Sequence, residues 1–245
     1  MMQTSISADA GAVVLDLTAA DGSHQVRWEG PSLDPVRAGD AAAVTALLPA
    51  MSRGEALAGP SLSPVLRRNL TEVQEVFLSW SRGKQLTNGG APTYRPATLA
   101  MGVAAPPVRG DREVGLFFSG GVDSFHSVLR RRWPVSALVF VHGLDVRLDD
   151  PRRAVVDGVR SAAAELDLPL IEVATDVRRT TDRFVRWEDS HGAALAAVAH
   201  LLAARFETLV VPASQTYDQL YPLGSHPVLD PLWSSDAVRL VHDGA

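Results

Sequence analysis

Val114-Gly115-Leu116-Phe117-Phe118 runs directly into Ser119-Gly120-Gly121-Val122-Asp123-Ser124, and that junction decides the fold. The first five residues form an apolar strand with no charged position, which suits a strand covered on both faces. Residues Ser124–Arg132 then place Phe125, Val128 and Leu129 on one face of a short helix. Adjacent glycines let the backbone approach a bulky anion and take φ angles closed to other residues. The helix start adds unpaired N–H groups and a positive dipole end, and Ser119 and Ser124 add hydroxyls. These features together describe a phosphate cradle; the bland alternative is a strand-to-helix turn that happens to contain glycine. Neither the lysine-containing G-x-x-x-x-G-K-[ST] loop nor the G-x-G-x-x-G spacing is present.

Downstream, strands and helices alternate. Strands are expected at Val135–Val141, Leu170–Ala174, Thr208–Pro212 and Val238–His242, with helices at Pro151–Leu166 and His191–Phe206. Apolar strands separated by helices imply a parallel sheet with helices on both faces, whose ligands bind at the carboxyl ends of the strands.

Upstream, Ala12–Ala19 and Gln25–Glu29 flank Asp21-Gly22-Ser23 and predict a β-hairpin. A short helix is expected around Asp40–Met51. A stronger one covers Ser63–Trp80, with Val65, Leu66, Leu70, Val73, Val76, Phe77 and Trp80 at helical spacing. A polar loop containing Asn88-Gly89-Gly90 and an edge strand within Thr93–Val103 follow. Pro106-Pro107 and Gly110 mark Ala104–Asp111 as a linker. The expected organisation is therefore a small α+β N-terminal domain over residues 1–105 and an α/β domain over residues 106–245.

The strand, S-G-G-V-D-S and helix resemble the PP-loop of the ATP pyrophosphatase superfamily, and the resemblance covers about residues 112–245. It implies a five-stranded parallel sheet in the order 3-2-1-4-5, preceded here by the small α+β domain. It implies ATP and Mg²⁺ as cofactors, attack of a substrate oxygen on the α phosphorus, and release of pyrophosphate. By position, Ser119, Gly120, Gly121 and Ser124 would bind pyrophosphate oxygens, Val122 completes the loop, and Asp123 would brace it or sit near the metal. The end of the second strand, including Val141 and Gly143, would meet adenine through backbone groups. The N-terminal residues resemble those of stand-alone PP-loop proteins, and the C-terminal loop distantly resembles that of 7-cyano-7-deazaguanine synthase.

A second constellation follows the fourth strand: Ser214-Gln215-Thr216-Tyr217-Asp218, Tyr221-Pro222, Gly224-Ser225-His226-Pro227 and Asp230-Pro231-Leu232-Trp233-Ser234. Parallel topology puts this loop beside the cradle. His226 is the candidate base or substrate ligand, with Asp218 and Asp230 to position it or hold Mg²⁺. A proline-stiffened loop packed on the core is the alternative. Weaker candidates are Asp145, Asp149 and Asp150 after the second strand, Arg178, Arg179, Arg183 and Arg186 after the third, and His191. His126 would only support packing, and His200 falls in a buried helix as a core histidine.

The 245 residues include no cysteine, which removes disulfides, Cys-ligated metals, thiol nucleophiles and a persulfide relay on this chain. This argues against a built-in glutaminase and against self-contained sulfur transfer. A separate ammonia or sulfur donor protein is the expected partner, beside a small-molecule substrate. The cyano-deazaguanine branch carries a cysteine-rich C-terminal segment that this sequence lacks; a truncated C-terminus would account for that. The net charge is −5, with 9 acids and 9 bases in residues 1–110 and 19 acids and 14 bases after them, so no broad basic field exists for nucleic acid. Lys84 is the single lysine among 23 basic residues. The longest apolar stretch, Gly192–Ala204, is broken by His200 and is too short for a membrane span. No basic residue precedes Arg27, as a secretory signal would require, so the expected location is cytoplasmic; a homo-oligomer is compatible with all of this.

The expected function is an ATP-dependent, AMP-forming enzyme that adenylates a small-molecule carboxylate or carbonyl oxygen for attack by a nitrogen nucleophile. The alternatives are a nucleotide-binding module without its own chemistry and a tRNA- or nucleobase-modifying PP-loop enzyme.

Overall fold

The computed structural model describes residues 1–245 except 10, 89–92, 106–111, 146–147, 149–152 and 245, and omits the side chains of 85–88, 153 and 154. The expected linker thus falls mainly outside the described residues, as do Gly89, Gly90, Asp149 and Asp150.

The C-terminal strands are β6 (Glu113–Phe117), β7 (Ala137–His142), β8 (Leu170–Thr175), β9 (Phe206–Pro212) and β10 (Arg239–Asp243). All four pairings among them are parallel, in the order β10-β9-β6-β7-β8. Successive side chains point to opposite faces, so each face gathers its own core. Leu116, Phe118, Leu138, Phe140 and Val210 pack against α3 (Val122–Leu129) and α4 (Arg153–Glu165) through Phe125, Val128, Val159 and Ala163. Phe117, Val139, Val141, Ile171 and Val173 belong to the opposite core, which contains the alanine-rich α6 (Trp187–Leu201).

The sheet is ten-stranded, not five-stranded, and it mixes parallel with antiparallel pairs. β1 (Met2–Asp9), β2 (Ala12–Ala19) and β3 (Gly22–Glu29) form an antiparallel meander, to which β4 (Leu57–Leu62) and β5 (Leu99–Val103) add parallel neighbours. This set joins the other five through antiparallel pairing of β3 with β8, where Trp28 faces Thr175 and Glu29 faces Ala174. The order is β10-β9-β6-β7-β8-β3-β2-β1-β4-β5, so the two expected regions share one sheet. The physical reason is the unpaired edge that β8 would otherwise present, which the hairpin strand covers. The meander keeps Leu15, Leu17, Val26 and Trp28 inside and Ser5, Thr18, Gln25 and Arg27 outside, the alternation of a sheet with one wet face.

Helix α1 (Ala38–Arg53) is buried along most of its length, with Ala41, Ala42, Ala43, Ala46 and Ala50 fully inside. Its partner α6 is equally rich in alanine, and small side chains let the two backbones approach closely. Helix α2 (Pro64–Asn88) buries Leu66, Leu70, Val73 and Phe77 on one stripe. A short α5 (Val177–Thr181) and single turns of 3-10 helix at Pro35–Arg37, Tyr217–Gln219 and Asp230–Trp233 complete the described elements. Among the described residues no helix is long and apolar enough to cross a membrane.

Candidate functional site

A cleft of about 670 Å³ opens where β6 lies between β7 and β9. The chain leaves β6 for β7 on one side and returns to β9 on the other. That switch point separates the loops above the strands and leaves a crevice at their carboxyl ends.

The cradle forms the floor of the cleft. Ser119, Gly120, Gly121, Asp123 and Ser124 all line it, and Gly120 takes φ +78°. A Cβ there would lie 3.0 Å from Val159 Cγ2 as well as adopting a left-handed backbone. Gly121 caps α3 without any side-chain hydrogen bond to the helix start, so its first N–H groups have no side-chain cap. Ser124 is buried and its hydroxyl donates to Gly121 O at 2.8 Å, while Gly121 N–H donates to Ser119 Oγ at 3.3 Å. Val122 is 84 % exposed and lies outside the lining.

One side wall is apolar: Phe117, Val139, Phe140, Val141 and Leu144, with Asp145 at its rim. Gly143 stands just behind it, at φ +93°, where any Cβ would fall 1.8 Å from Thr175 O. It shapes the turn after β7 and does not itself line the cleft.

The far wall comes from α6 and the loop after β9. Trp187, Glu188, His191 and Leu195 face Val211, Pro212, Ser214, Leu223 and Ser225. His191 joins the two elements: its Nδ1 donates to Trp187 O at 3.3 Å and its Nε2 accepts the Ser225 N–H at 3.0 Å. Gly224 N–H donates to Glu188 O at 2.7 Å. Burial holds the His191 imidazolium below its ordinary range, which keeps Nε2 available as the acceptor.

The expected catalytic side chains do not line this cleft. His226 accepts the Val228 N–H on Nδ1 at 3.1 Å and packs edge-on against Trp80, with ring centroids 5.2 Å apart. Asp230 is buried, accepting from Ser225 Oγ at 2.7 Å, His226 N–H at 3.4 Å and His242 Nδ1 at 2.7 Å. Asp218 is exposed in its 3-10 turn. His226 and Asp230 hold the loop's shape from behind. Ser225, inside the quoted loop but not singled out, is the residue they deliver to the cleft.

Other candidates separate in the same way. Arg178 covers the Trp187 ring at 4.6 Å, donates to Leu144 O at 3.0 Å and pairs with Asp182 at 3.3 Å. Arg179 and Arg183 are exposed, and Arg186 pairs with Glu188 at 3.3 Å. His126 is exposed on α3. His200 is fully buried and donates through Nε2 to Trp233 O at 3.0 Å, with Nδ1 unpartnered. The N-terminal region braces the far wall: Tyr94 donates to buried Asp189 at 2.9 Å, and burial beside that carboxylate pushes the phenol well above its ordinary range.

For a metal, Asp123 offers a hard oxygen in the first turn of α3. No group of three or more His, Asp or Glu among the described residues is arranged to hold an ion. A single carboxylate beside a phosphate cradle is compatible with Mg²⁺, which keeps several waters and takes its remaining ligands from phosphates.

The buried histidines set a pH response. His200, His191 and His226 have acidities shifted so that protonation is disfavoured in the fold, chiefly by burial. The unfolded chain takes up these protons near pH 6.5 and the folded chain does not, so stability falls as pH drops below about 6.5. The expected slope is about 1.4 kcal/mol per pH unit for each of the deeply buried pair, His200 and His191, until its folded pKa is reached. Urea unfolding at pH 7.5, 6.5 and 5.5 reads it, and His200→Gln should flatten the dependence; an unchanged slope would remove His200 from this account.

Comparison of the chain with protein-family models, curated proteins and solved structures returned no match.

Proposed function

We propose that the protein is an ATP-dependent, AMP-forming enzyme of the PP-loop type, adenylating an oxygen of a small molecule for attack by a nitrogen nucleophile. The observation that carries this reading is a glycine-rich helix start at the switch point of the parallel strands, whose Ser119, Gly120, Gly121, Asp123 and Ser124 line a cleft. A triphosphate meets backbone donors and the dipole end there. Mg²⁺ would sit by Asp123 and supply charge neutralisation at the phosphates. The carboxyl end of β7, Val139–Val141, would meet a flat purine largely through backbone groups, and the α phosphorus would then lie toward the far wall. In-line attack then depends on holding the acceptor oxygen against that phosphorus, so positioning supplies most of the rate. The resemblance of S-G-G-V-D-S to the PP-loop superfamily points the same way.

The test is product analysis with ATP, Mg²⁺ and a panel of acceptors. AMP and pyrophosphate are expected; ADP and phosphate would overturn the reading. Gly120→Ala introduces a side chain at a left-handed position inside the cradle and is expected to weaken MgATP binding roughly tenfold or more. Equilibrium dialysis measures this directly, and unchanged affinity would place the nucleotide elsewhere.

A nucleotide-binding module without its own chemistry is the second reading. It is favoured by one observation: His226 and Asp230 are committed to loop structure and not directed at the cleft. Tight MgATP binding with no pyrophosphate exchange under any acceptor would select it. A tRNA- or nucleobase-modifying enzyme is a further alternative; retarded migration with tRNA at low salt would support it.

A further inference from the structure

Ser225, on the far wall, has a definite hydrogen-bonding sense. Ser225 is 9 % exposed and reaches the cleft, yet its hydroxyl proton is directed away from it, to Asp230 Oδ2 at 2.7 Å. Asp230 is fixed in that role by His242, whose side chain is 6 % exposed and whose Nδ1 donates to the same oxygen at 2.7 Å. The Ser225 N–H is also taken, by His191 Nε2. What Ser225 presents to a ligand is therefore a lone pair. A hydroxyl is normally ambivalent, donating or accepting as needed; here the buried carboxylate removes the choice.

Two of the neighbouring groups have the same sense. Glu188 and Asp145 are carboxylates, which when ionised only accept. Both ring nitrogens of His191 are engaged by backbone. No Arg or Lys is among the described residues that line the cleft, and the far wall lies entirely within the described residues. Of the arginines beside the wall, Arg186 is paired with Glu188 and Arg178 is held by Leu144 O, Asp182 and the Trp187 ring, and neither lines the cleft. The Ser214 hydroxyl and the Trp187 indole N–H are the donors this wall keeps, but a carboxylate placed against Ser225 and Glu188 would face acceptors, and leaving such groups unpaired in a desolvated site is costly. An N–H group would be matched.

We infer that the far wall selects an N–H-bearing acceptor molecule, an amide or amine and not a carboxylate, and that Ser225 is the specificity-determining residue. The inference rests on the proposed nucleotide cleft and narrows its acceptor to the carbonyl oxygen of an amide-type group, with the N–H on Ser225 Oγ beside the Trp187 ring.

The experiment uses three probes of one shape, benzamide, benzamidinium and benzoate, with the full chain in the presence and absence of MgATP. Saturation-transfer NMR and competition titrations give the affinities, and MgATP affinity is measured separately. Benzamide and benzamidinium should bind at least tenfold tighter than benzoate. Ser225→Ala should weaken both by roughly five- to tenfold, the scale of one lost hydrogen bond, while leaving benzoate and MgATP binding unchanged. Ser225→Thr retains the hydroxyl and should restore the preference. Equal binding of all three probes, binding of none, or a uniform loss in Ser225→Ala overturns the inference. Failure of MgATP to bind, with the amide preference intact, would overturn the nucleotide reading and leave the wall's selectivity standing.

Discussion

Gly143→Ala should destabilise the fold by about 3–5 kcal/mol, which combines strain at a left-handed position with a steric overlap that neither neighbour can relieve. Its φ is +93°, and the added Cβ would fall 1.8 Å from the backbone oxygen of Thr175. That oxygen belongs to the last residue of β8, the strand flanked by β7 and β3. Retreat of the turn would drag Leu144 and Asp145 out of the cleft wall, so nucleotide affinity and stability should fall together. Gly158→Ala is the matched control: it lies in α4 with no atom within 4 Å of the added Cβ. That substitution should stabilise by up to about 1 kcal/mol, because a helix interior favours alanine. Urea midpoints for the two variants give the comparison; if they move alike, the close approach to Thr175 is not what holds the turn.

Asp230→Ala is the second large effect, expected at about 3–5 kcal/mol. The carboxylate is 1 % exposed and takes protons from Ser225 Oγ, His242 Nδ1 and the His226 N–H. Its removal leaves two buried side-chain donors, Ser225 Oγ–H and His242 Nδ1–H, without their acceptor. Asp230→Asn keeps the shape but substitutes a donor for one acceptor, so its loss should be smaller. Hydrogen exchange adds a local readout: protection at Ser225 and His226 should drop more than protection at Val210 or Leu240. A cost under about 1 kcal/mol for Asp230→Ala would mean that the loop is held by its prolines and the Trp233 ring instead.

The same loop shows what the sequence could disclose. Its position over the strand ends followed from parallel topology, and its aromatic and polar composition is read directly from the residues. Which side chains turn inward did not, because His226 and Asp230 satisfy backbone groups only two to four residues away, a choice decided by turn geometry. Trp187 and Glu188 begin a helix whose start sits four residues before the expected His191, and that extra turn adds two residues to the wall. The cradle was legible because strand, glycines and helix are contiguous. The ten-stranded sheet was not. β1 carries Gln3, Thr4, Ser5 and Ser7 and lacks a strong apolar alternation, and β4 contains Gly59 and Pro60. Both are strands by virtue of their neighbours, with Met2 and Leu57 fully buried between them. Likewise, pairing of β3 with β8 spans most of the chain and leaves no local trace.

That pairing also imposes an order on birth. Trp28 emerges from a ribosome long before Thr175 exists to receive it. At about 5–20 residues per second the wait is roughly seven to thirty seconds. Throughout it, the meander is a nascent edge, and the outward Gln25, Arg27 and Glu29 are the charges and amides that discourage a stranger's strand from docking first. Final closure of the sheet, and with it the cleft wall anchored on β8, is therefore a late event in the life of each molecule, completed only when the amino-terminal hairpin recovers its distant partner.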